Sequence, residues 1–358
     1  MIDTGLRIER SSNPKQKPDP EQLSFGKVFT DHMFVMDYTE EKGWHDPRIV
    51  PYGSIPLDPA AMVFHYGQTV FEGLKAYRTN DDRILLFRPE KNIQRLNRSC
   101  HRISIPQIPE EAAIDYLVKL LQVDRDWVPS AEGTSLYIRP FVFANEINLS
   151  AVPSTEYTFM IILSPVGSYY KEGIQPVNIY VEDEFTRAVR GGTGTAKTGG
   201  NYSASYIAQE KAAEKGYAQV MWLDGIEKKY IEEVGSMNVF FKIDGEIVTP
   251  ILNGSILEGV TRMSIIELLR DWGYPVAERK ISMEELFAAY EKGKLEEAFG
   301  TGTAAVVSPI GQLNWKEHQM VINDKRIGEL SKKLYDTLTG IQRGQLPDPF
   351  NWNREVNE

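Results

Sequence analysis

Cysteine and histidine are scarce in this chain of 358 residues. Cys100 is the one cysteine, so no disulfide bridge can form within the chain, which is typical of proteins from reducing compartments. Its neighbour His101 does not make it a nucleophile, because adjacency in sequence is not the geometry of a nucleophile and its base. The histidines show none of the paired spacings that hold a metal ion, so we expect no metal site; the five are His32, His45, His65, His101 and His318.

Long apolar runs and an excess of positive charge are also missing. The longest apolar run near mid-chain covers residues 159–163, which is far too short to span a bilayer, and the N-terminal sequence has no apolar signal core. Lys and Arg number 40 against 50 Asp and Glu, and the resulting net charge of −10 argues against a nucleic-acid or anionic-membrane partner. We therefore expect a cytoplasmic protein.

The fingerprints of nucleotide binding are absent as well. A glycine-rich run at residues 190–203 contains Lys197, but Ala196 stands where a phosphate loop requires glycine before the lysine. No Gly-x-Gly-x-x-Gly fingerprint follows a strand pattern either. Neither an NTPase nor a dinucleotide-binding fold is favoured.

What is present is a pattern of alternating strands and helices long enough for two domains. We predict an α/β (α+β) fold with a smaller N-terminal domain at residues 1–167, of which residues 1–22 form a loose arm. Pro and Gly residues mark a linker at 168–177, and residues 178–358 form the larger C-terminal domain.

Several elements can be assigned from local patterns. Strands are predicted at residues 63–78, which are rich in aromatic and β-branched side chains, and at 84–87 and 219–223. A helix is predicted over 202–215, ending at Gly216. Ser282 and Glu285 have the spacing of a capping box at the start of another helix.

Lys197 is the main candidate for chemistry. The glycines around it weaken both helix and strand, which suggests backbone packed closely against another group. A lysine amine in such a place can form a Schiff base with an aldehyde. A solvated lysine on a glycine-rich surface loop is the alternative, and the residues alone leave both open.

Pyridoxal phosphate is an aldehyde cofactor whose needs the sequence can meet. It requires such a lysine, a carboxylate at the ring nitrogen, a donor near the ring oxygen and ligands for its phosphate. Glu233 can supply the carboxylate, although beside Glu232 a surface charge is the simpler interpretation. Tyr202 can supply the donor, and free N–H groups at residues 259–262 and 300–304 can bind the phosphate.

Seven longer stretches resemble the branched-chain amino-acid aminotransferases, which belong to the class IV, fold type IV pyridoxal-phosphate enzymes. They cover residues 25–33, 65–77, 133–140, 197–202, 233–238, 252–262 and 299–304. The resemblance implies a smaller N-terminal α/β domain and a larger C-terminal, cofactor-binding domain with a β-barrel-like core. It also implies reversible, ping-pong transamination of leucine, isoleucine and valine with 2-oxoglutarate.

The resemblance assigns roles around pyridoxal 5′-phosphate. Lys197 carries the cofactor and shuttles the substrate α-proton, Glu233 pairs with the ring nitrogen, and Tyr202 hydrogen-bonds the ring oxygen. The further cofactor-binding residues that it implies are Arg95, Val260 and Thr261 at the phosphate, Ser236, and the weaker phosphate candidates Arg187 and Thr301.

It assigns a substrate pocket too. The aromatic wall suits apolar side chains, while Arg139 receives the second carboxylate of glutamate. The wall consists of Phe25, Tyr66, Phe71, Tyr137 and Tyr169; the Tyr66 hydroxyl and the N–H groups of Thr303 and Ala304 hold the α-carboxylate. A loop of a partner subunit near residues 149–152 completes the pocket in this family, which implies a homodimer.

One departure and two alternatives accompany this interpretation. Ala305 and Ser308 stand where the mammalian enzymes have a redox pair of cysteines, so a thiol switch of that kind is not expected.

The alternatives are a D-amino-acid aminotransferase or lyase of the same fold, and a binding protein without chemistry. The pairing of Tyr137 with Arg139 argues against the first, and the intact Lys197 and Glu233 argue against the second.

Overall fold

The computed structural model describes residues 5–168 and 174–357. The chain divides into two compact units. The first comprises Met1–Tyr169, Ala196–Gly199 and Gly340–Glu358, and the second comprises Tyr170–Thr195 and Gly200–Thr339. In the described residues each unit has one nine-stranded sheet with helices, which is the mixed α/β architecture predicted.

The helices and strands follow in chain order. They are β1 (Arg7–Ile8), β2 (His32–Thr39), β3 (Gly43–Pro51), α1 (Met62–Tyr66), β4 (Thr69–Phe71), β5 (Leu74–Arg78), β6 (Ile84–Phe87), α2 (Pro89–Arg102), α3 (Glu110–Val123), β7 (Ser135–Ala144), β8 (Glu156–Val166), β9 (Val177–Glu182), α4 (Gly199–Ser203), α5 (Tyr206–Glu214), β10 (Gln219–Leu223), β11 (Ile231–Val234), β12 (Asn238–Ile243), β13 (Glu246–Pro250), α6 (Val260–Asp271), β14 (Val276–Arg279), α7 (Met283–Glu291), β15 (Leu295–Gly302), β16 (Val306–Trp315), β17 (His318–Val321), α8 (Glu329–Gln342) and β18 (Asn353–Glu355). Three short 3₁₀ turns lie at Pro20–Gln22, Arg125–Trp127 and Asn323–Lys325.

The sheet of the first unit is largely antiparallel. Its strand order is β1-β3-β2-β8-β7-β5-β6-β18, with β4 paired to β7. Side chains alternate along β7, so Leu136 and Ile138 enter the core with the apolar faces of α2 and α3. The same alternation places Tyr137 and Arg139 on the opposite face of that sheet.

The sheet of the second unit mixes both strand directions. Its order is β11-β10-β9-β16-β15-β12-β13-β14, with β17 on β16. β9 is parallel to β10 and β16, and β13 is parallel to β14. β12 and β15 are antiparallel, with Asn238 opposite Thr301, and α6 packs on β15. This pairing brings the two predicted phosphate-binding segments together within the unit.

Two segments that the sequence assigned to the C-terminal domain belong to the first unit. β18 pairs antiparallel with β6, and the ring of Trp352 lies 5.5 Å from that of Phe87, edge to face. Residues 196–199 join the same unit because Thr198 forms a β-bridge with Val70.

Residues 5–22, predicted as a loose arm, are tied to the first unit. The Ser11 N–H donates to Nε2 of His32 over 2.8 Å, and the Lys15 ammonium donates to the carbonyl of Thr30 over 2.7 Å. The Lys15 N–H also donates to Asp31 over 2.8 Å. The polar composition therefore reflects contacts with the polar edge of the sheet.

Local patterns mispredicted two elements. Residues 63–66 were expected in a strand but belong to α1, which ends where Gly67 takes the left-handed conformation, with φ of 59°. The helix predicted over 202–215 is split into α4 and α5. Ser205 donates both its N–H and its hydroxyl to the Tyr202 carbonyl, over 3.0 and 2.7 Å, and this local bonding competes with helix continuation.

Candidate active site

The backbone of Lys197 is fixed within the first unit. Its N–H donates to the Ser99 hydroxyl over 2.8 Å, and its carbonyl accepts the Phe71 N–H over 3.0 Å. The adjacent Thr198 hydroxyl donates to the Thr69 carbonyl over 2.7 Å. The Lys197 ammonium lies 4.5 Å from the centre of the Phe71 ring. The glycine-rich run therefore sets one lysine rigidly beside an aromatic ring, and the surface-loop alternative does not hold.

Glu72 is a buried carboxylate to which the sequence analysis assigned no role. It is fully buried and accepts Nε and Nη2 of Arg95 over 2.7 and 2.9 Å, and Nδ2 of Asn92 over 2.8 Å. Burial by itself raises the pKa of Glu72, but the charge and hydrogen bonds of Arg95, followed by the charge of Lys197, hold that pKa below its ordinary value. Glu72 is thus an anion that neutralises two predicted cofactor ligands.

Arg95 was predicted to bind phosphate, and the structure shows its guanidinium in this ion pair with Glu72. Its side chain is 6% exposed, so the pair is almost fully out of solvent. A bidentate arginine–carboxylate pair holds the guanidinium in a defined plane. Its role toward phosphate stays a prediction.

Three of the residues predicted for the aromatic wall cluster with Arg139. The Phe25 and Tyr137 rings meet edge to face with centres 4.8 Å apart. The Arg139 guanidinium lies 4.7 Å from the Phe71 ring centre and 5.3 Å from that of Tyr137, and it donates to the Tyr137 hydroxyl over 3.0 Å. Nε of Arg139 is buried without a hydrogen-bond partner among the described residues. An arginine among aromatic rings with an unused donor is suited to receive a carboxylate.

Lys75 is a second cation on the same face of this sheet. It pairs across the strands with Tyr137, so both side chains leave the sheet on one side. Burial, and then the like charge of Arg343, lower the pKa of Lys75 to about 8. The residues alone did not point to Lys75, because only the strand register shows that it neighbours Tyr137.

Tyr66 lies at an exposed edge of the first unit. Its side chain is 44% exposed, and its hydroxyl donates to the carbonyl of Leu149. Leu149 belongs to the loop that the resemblance assigns to a partner's pocket, and its side chain is 64% exposed. Tyr169, the remaining aromatic candidate, lies outside the described residues.

Glu233 is buried at the end of β11 in the second unit and is not the surface charge that its neighbourhood suggested. It is 3% exposed, and its Oε1 accepts the N–H of Leu257 over 2.8 Å. Its Oε2 lies 3.2 Å from Nε of Arg187. A backbone N–H and an arginine therefore hold the carboxylate that the resemblance pairs with the ring nitrogen.

Arg187 was a weaker phosphate candidate, and the structure places it on Glu233. Its Nη2 donates to the carbonyls of Gly194, over 3.2 Å, and Ser255. The Nε–H is not aligned on Glu233 for a hydrogen bond, so the 3.2 Å contact is electrostatic. Within the described residues, Arg187 thus contacts Gly194, Ser255 and Glu233, and its role toward the phosphate stays a prediction.

The start of α6 has the features of a phosphate cradle. α6 begins at Val260, and its N-cap residue Gly259 provides no side-chain hydrogen bond. A Cβ at Gly259 would lie 2.1 Å from Oδ1 of Asn238, so a side chain there would displace the Asn238 amide. Opposite Asn238, Thr301 is 2% exposed and its hydroxyl has no hydrogen-bond partner among the described residues. The first-turn N–H groups and this buried hydroxyl fit a phosphate.

The remaining candidates lie in turns or short helices of the second unit. Tyr202 is partly buried in α4, and Ser236 is exposed in the turn between β11 and β12. Thr303 and Ala304 form part of the turn that joins β15 to β16. These positions allow side chains and backbone N–H groups to face a ligand, and their roles stay predictions.

Comparison with known proteins agrees with this arrangement. The family model described as "Amino-transferase class IV" matches residues 69–313. The chain is 64% identical over 356 residues to "Branched-chain-amino-acid aminotransferase 2" of Bacillus subtilis (strain 168), covering 99% of this chain and 98% of the relative. It is 61% identical over 352 residues to "Branched-chain-amino-acid transaminase 1" of the same organism, covering 98% of this chain and 99% of the relative.

A solved structure gives the same result for the fold. The branched-chain amino acid aminotransferase of Thermobaculum terrenum, in its PLP form, superposes with a TM-score of 0.73 at 23% identity, covering 91% of this chain and 98% of that one. The predicted fold class is confirmed, and so is the resemblance. The chain therefore belongs to the class IV aminotransferase family and, within it, to the branched-chain amino-acid aminotransferases.

Proposed function

We propose that this chain is a pyridoxal-phosphate-dependent aminotransferase that exchanges an amino group reversibly between leucine, isoleucine or valine and 2-oxoglutarate. The observation that carries the substrate class is Arg139, whose guanidinium lies against the Phe71 and Tyr137 rings with a buried, unused Nε–H. Such a pocket accepts both an apolar side chain and the carboxylate of glutamate. The high identity to branched-chain enzymes favours this function over a D-amino-acid aminotransferase, a lyase or a non-catalytic protein.

The residues present fit pyridoxal phosphate. The orphaned hydroxyl of Thr301 and the uncapped start of α6 match its phosphate, and the buried Glu233 matches its ring nitrogen. When bound, the cofactor supplies an electron-withdrawing ring that stabilises negative charge at the substrate Cα. Arg95 and Tyr202 are proposed as further ligands, at the phosphate and the ring oxygen.

Lys197 is the proposed covalent attachment point and proton carrier. Its amine would take the proton from the substrate Cα as general base and then, as general acid, deliver that proton to the C4′ carbon of the cofactor. The hydrogen bonds of its backbone to Ser99 and Phe71 fix the point from which the side chain reaches the reacting atoms, which favours transfer between defined atoms. Glu72 balances the positive charge of Lys197 when the amine is protonated.

The other residues bind and orient. Glu233 is proposed to pair with the protonated ring nitrogen. Arg187, whose Nε lies 3.2 Å from Oε2 of Glu233, is proposed to help hold that carboxylate in place. Aromatic side chains exclude water from the substrate side chain, and the hydroxyl of Tyr66 with the N–H groups of Thr303 and Ala304 holds the α-carboxylate. The proposed apolar wall consists of Phe25, Tyr66, Phe71, Tyr137 and Tyr169.

We also propose a homodimer in the cytoplasm. Phe64, Ile147, Leu149 and Val152 are each more than half exposed in the first unit, at 61%, 67%, 64% and 52%, which is unusual for large apolar side chains. Within the described residues no helix is long and apolar enough to cross a membrane. Light scattering on the purified protein tests the proposal, and a monomeric mass contradicts it.

Spectroscopy tests the reaction. The purified protein is expected to carry a visible absorption band that leucine bleaches and 2-oxoglutarate restores. A response to D-alanine with none to leucine, isoleucine or valine contradicts the assignment and favours the first alternative.

Lys197→Ala is expected to lower transamination by at least roughly a thousandfold, because it removes both the attachment point and the proton carrier. The matched control is Lys211→Ala. Lys211 is 44% exposed and pairs with Glu184 on the surface, so its loss is expected to leave the rate unchanged. Turnover by the Lys197→Ala protein at the parent rate refutes the proposal.

A further inference from the structure

Glu232 is a buried carboxylate that the proposed reaction does not use. It precedes Glu233 on β11, so the two side chains leave the strand on opposite faces. Glu232 is 2% exposed, and its Oε2 has no hydrogen-bond partner in the described part of the chain. A carboxylate removed from water costs stability unless its contacts serve the structure or the function.

All the hydrogen bonds of Glu232 that the structure shows go to one turn. Its Oε1 accepts Nδ2 of Asn253 over 3.0 Å and the hydroxyl of Ser255. The turn also closes on itself, because the Ser255 N–H donates to Oδ1 of Asn253 over 3.0 Å and Gly254 takes φ of 100°. Glu232 therefore helps to hold the turn that carries the carbonyl of Ser255.

That carbonyl holds Arg187. Nη2 of Arg187 donates a hydrogen bond to it. A Cβ at Gly194 would lie 2.1 Å from the same Ser255 oxygen, so the backbones of Gly194 and Ser255 lie closer together than a residue with a Cβ would permit. Nε of the same arginine lies 3.2 Å from Glu233. A shift of the turn would move the guanidinium and with it the charge that faces Glu233.

The same segment reaches Glu233 directly. Two residues beyond Ser255, the N–H of Leu257 donates to Oε1 of Glu233 over 2.8 Å. Its carbonyl in turn accepts Nδ2 of Asn238 over 2.9 Å. Both oxygens of Glu233 are thus contacted by groups whose position depends on the turn that Glu232 holds.

We infer that Glu232 is a positioning residue for Glu233: by holding the Asn253–Ser255 turn it orients the carboxylate that meets the ring nitrogen of the cofactor. This inference rests on the proposed function. Its chemical basis is that a carboxylate beside the ring nitrogen would favour the protonated form of that nitrogen. The rotated carboxylate expected without Glu232 would bind the cofactor less tightly and shift the pH at which the bound cofactor changes its absorption.

The test uses the full-length protein and two readouts that do not depend on turnover. One is the Kd for pyridoxal phosphate, from titration of the cofactor-free protein, and the other is the pH midpoint of the visible band of the loaded protein. Glu232→Ala is expected to raise the Kd roughly tenfold to a hundredfold and to shift the midpoint, as loss of a supporting carboxylate at a bound group does. Glu232→Gln is expected to stay within about twofold of the parent, because an amide keeps the accepting Oε1 and replaces an oxygen that makes no hydrogen bond.

Glu297→Ala is the matched control. Glu297 is also buried in the same unit, at 6% exposure, but its carboxylate accepts the N–H groups of Leu330 and Ser331 at the start of α8. Its loss is expected to lower thermal stability and to leave the Kd and the pH midpoint unchanged. Equal shifts in Glu297→Ala and Glu232→Ala would mean general destabilisation and overturn the inference.

Ser255→Ala tests the same link should Glu232→Ala fail to fold. It removes the hydroxyl that Glu232 accepts and leaves the carbonyl, so a smaller shift in the same direction is expected. Parent values of both readouts in Ser255→Ala, with unchanged values in any folded Glu232→Ala protein, refute the positioning role. A parent protein that binds pyridoxal phosphate but gives no response to leucine refutes the proposed function instead, which keeps the two failures distinct.

Discussion

In the first unit, Glu72 accepts both Nε and Nη2 of Arg95, whereas in the second unit Glu233 faces Arg187 through Nε alone, without a hydrogen bond. Both carboxylates are buried, at 0% and 3% exposure, so the difference is one of geometry. The bidentate pair satisfies both partners and orients the arginine. The looser pair supplies positive charge beside a carboxylate whose proposed partner is the cofactor.

The comparison shows that residue type does not decide the function of an ion pair. Arg95 and Arg187 were both predicted at the phosphate, and each proves to contact a buried glutamate. What distinguishes them is the number of aligned N–H groups and the segment that positions the carboxylate. The predictions below test this contrast, beginning with the largest expected effect.

Removing the carboxylate of the bidentate pair should have the largest effect. Glu72→Ala leaves Arg95 buried without its counter-charge and is expected to lower the free energy of unfolding by about 3–5 kcal/mol. Glu233→Ala removes the acceptor of the Leu257 N–H and the unaligned contact with Arg187, whose Nη2 keeps its bonds to backbone carbonyls, so a smaller loss of about 1–3 kcal/mol is expected. Urea unfolding of the cofactor-free variants measures both, and equal losses would remove the distinction between the pairs.

The pH dependence of that loss follows from the lowered pKa of Glu72. A carboxyl group whose folded pKa lies below its unfolded value stabilises the fold fully above the unfolded value, and the contribution disappears as the pH falls through the folded pKa. The parent protein should therefore lose part of its advantage over Glu72→Gln as the pH is lowered below about 4. A constant difference across that range contradicts the assigned ion pair.

Lys75 is the opposite of Glu72, because its neighbouring charge, that of Arg343, has the same sign as its own. Its pKa is lowered from 10.5 to about 8, so between these values the unfolded chain binds more protons and stability rises with pH. Lys75→Met is expected to be more stable than the parent at pH 7 by up to roughly 3 kcal/mol, and the gain should shrink as the pH approaches 10.5. Thermal unfolding at several pH values measures this, and a pH-independent difference would contradict it.

The smallest effect is expected at Thr301. Its hydroxyl has no partner among the described residues, so Thr301→Val should leave the stability of the cofactor-free protein unchanged, while the Kd for pyridoxal phosphate rises about tenfold. Thr249→Val is the matched control. The Thr249 hydroxyl donates to the Val239 carbonyl over 2.8 Å, so its loss should lower stability by about 1 kcal/mol without changing the Kd. The reverse pattern would place the phosphate elsewhere.

Elements with a local signal were predicted well. The strands at Ile84–Phe87 and Gln219–Leu223 have the predicted bounds, and the Ser282 hydroxyl accepts the Glu285 N–H over 3.1 Å as a capping box requires. The helix at residues 63–66 and the break at Ser205 were missed, since both depend on how the chain turns next. Propensity describes a segment by itself and does not include the contacts that end it.

The motifs identified the family and the candidate residues Lys197, Glu233 and Arg139, because their chemistry and their neighbours in sequence are specific enough. They did not show that Glu72 neutralises Arg95, or that Glu232 supports the turn beside Glu233. Those contacts join residues about 20 positions apart through strand register and burial. Sequence alone determined which chemistry this protein carries, and only the tertiary structure decided which buried charge meets which partner, because the energy of an ion pair depends on distance and alignment that no local pattern contains.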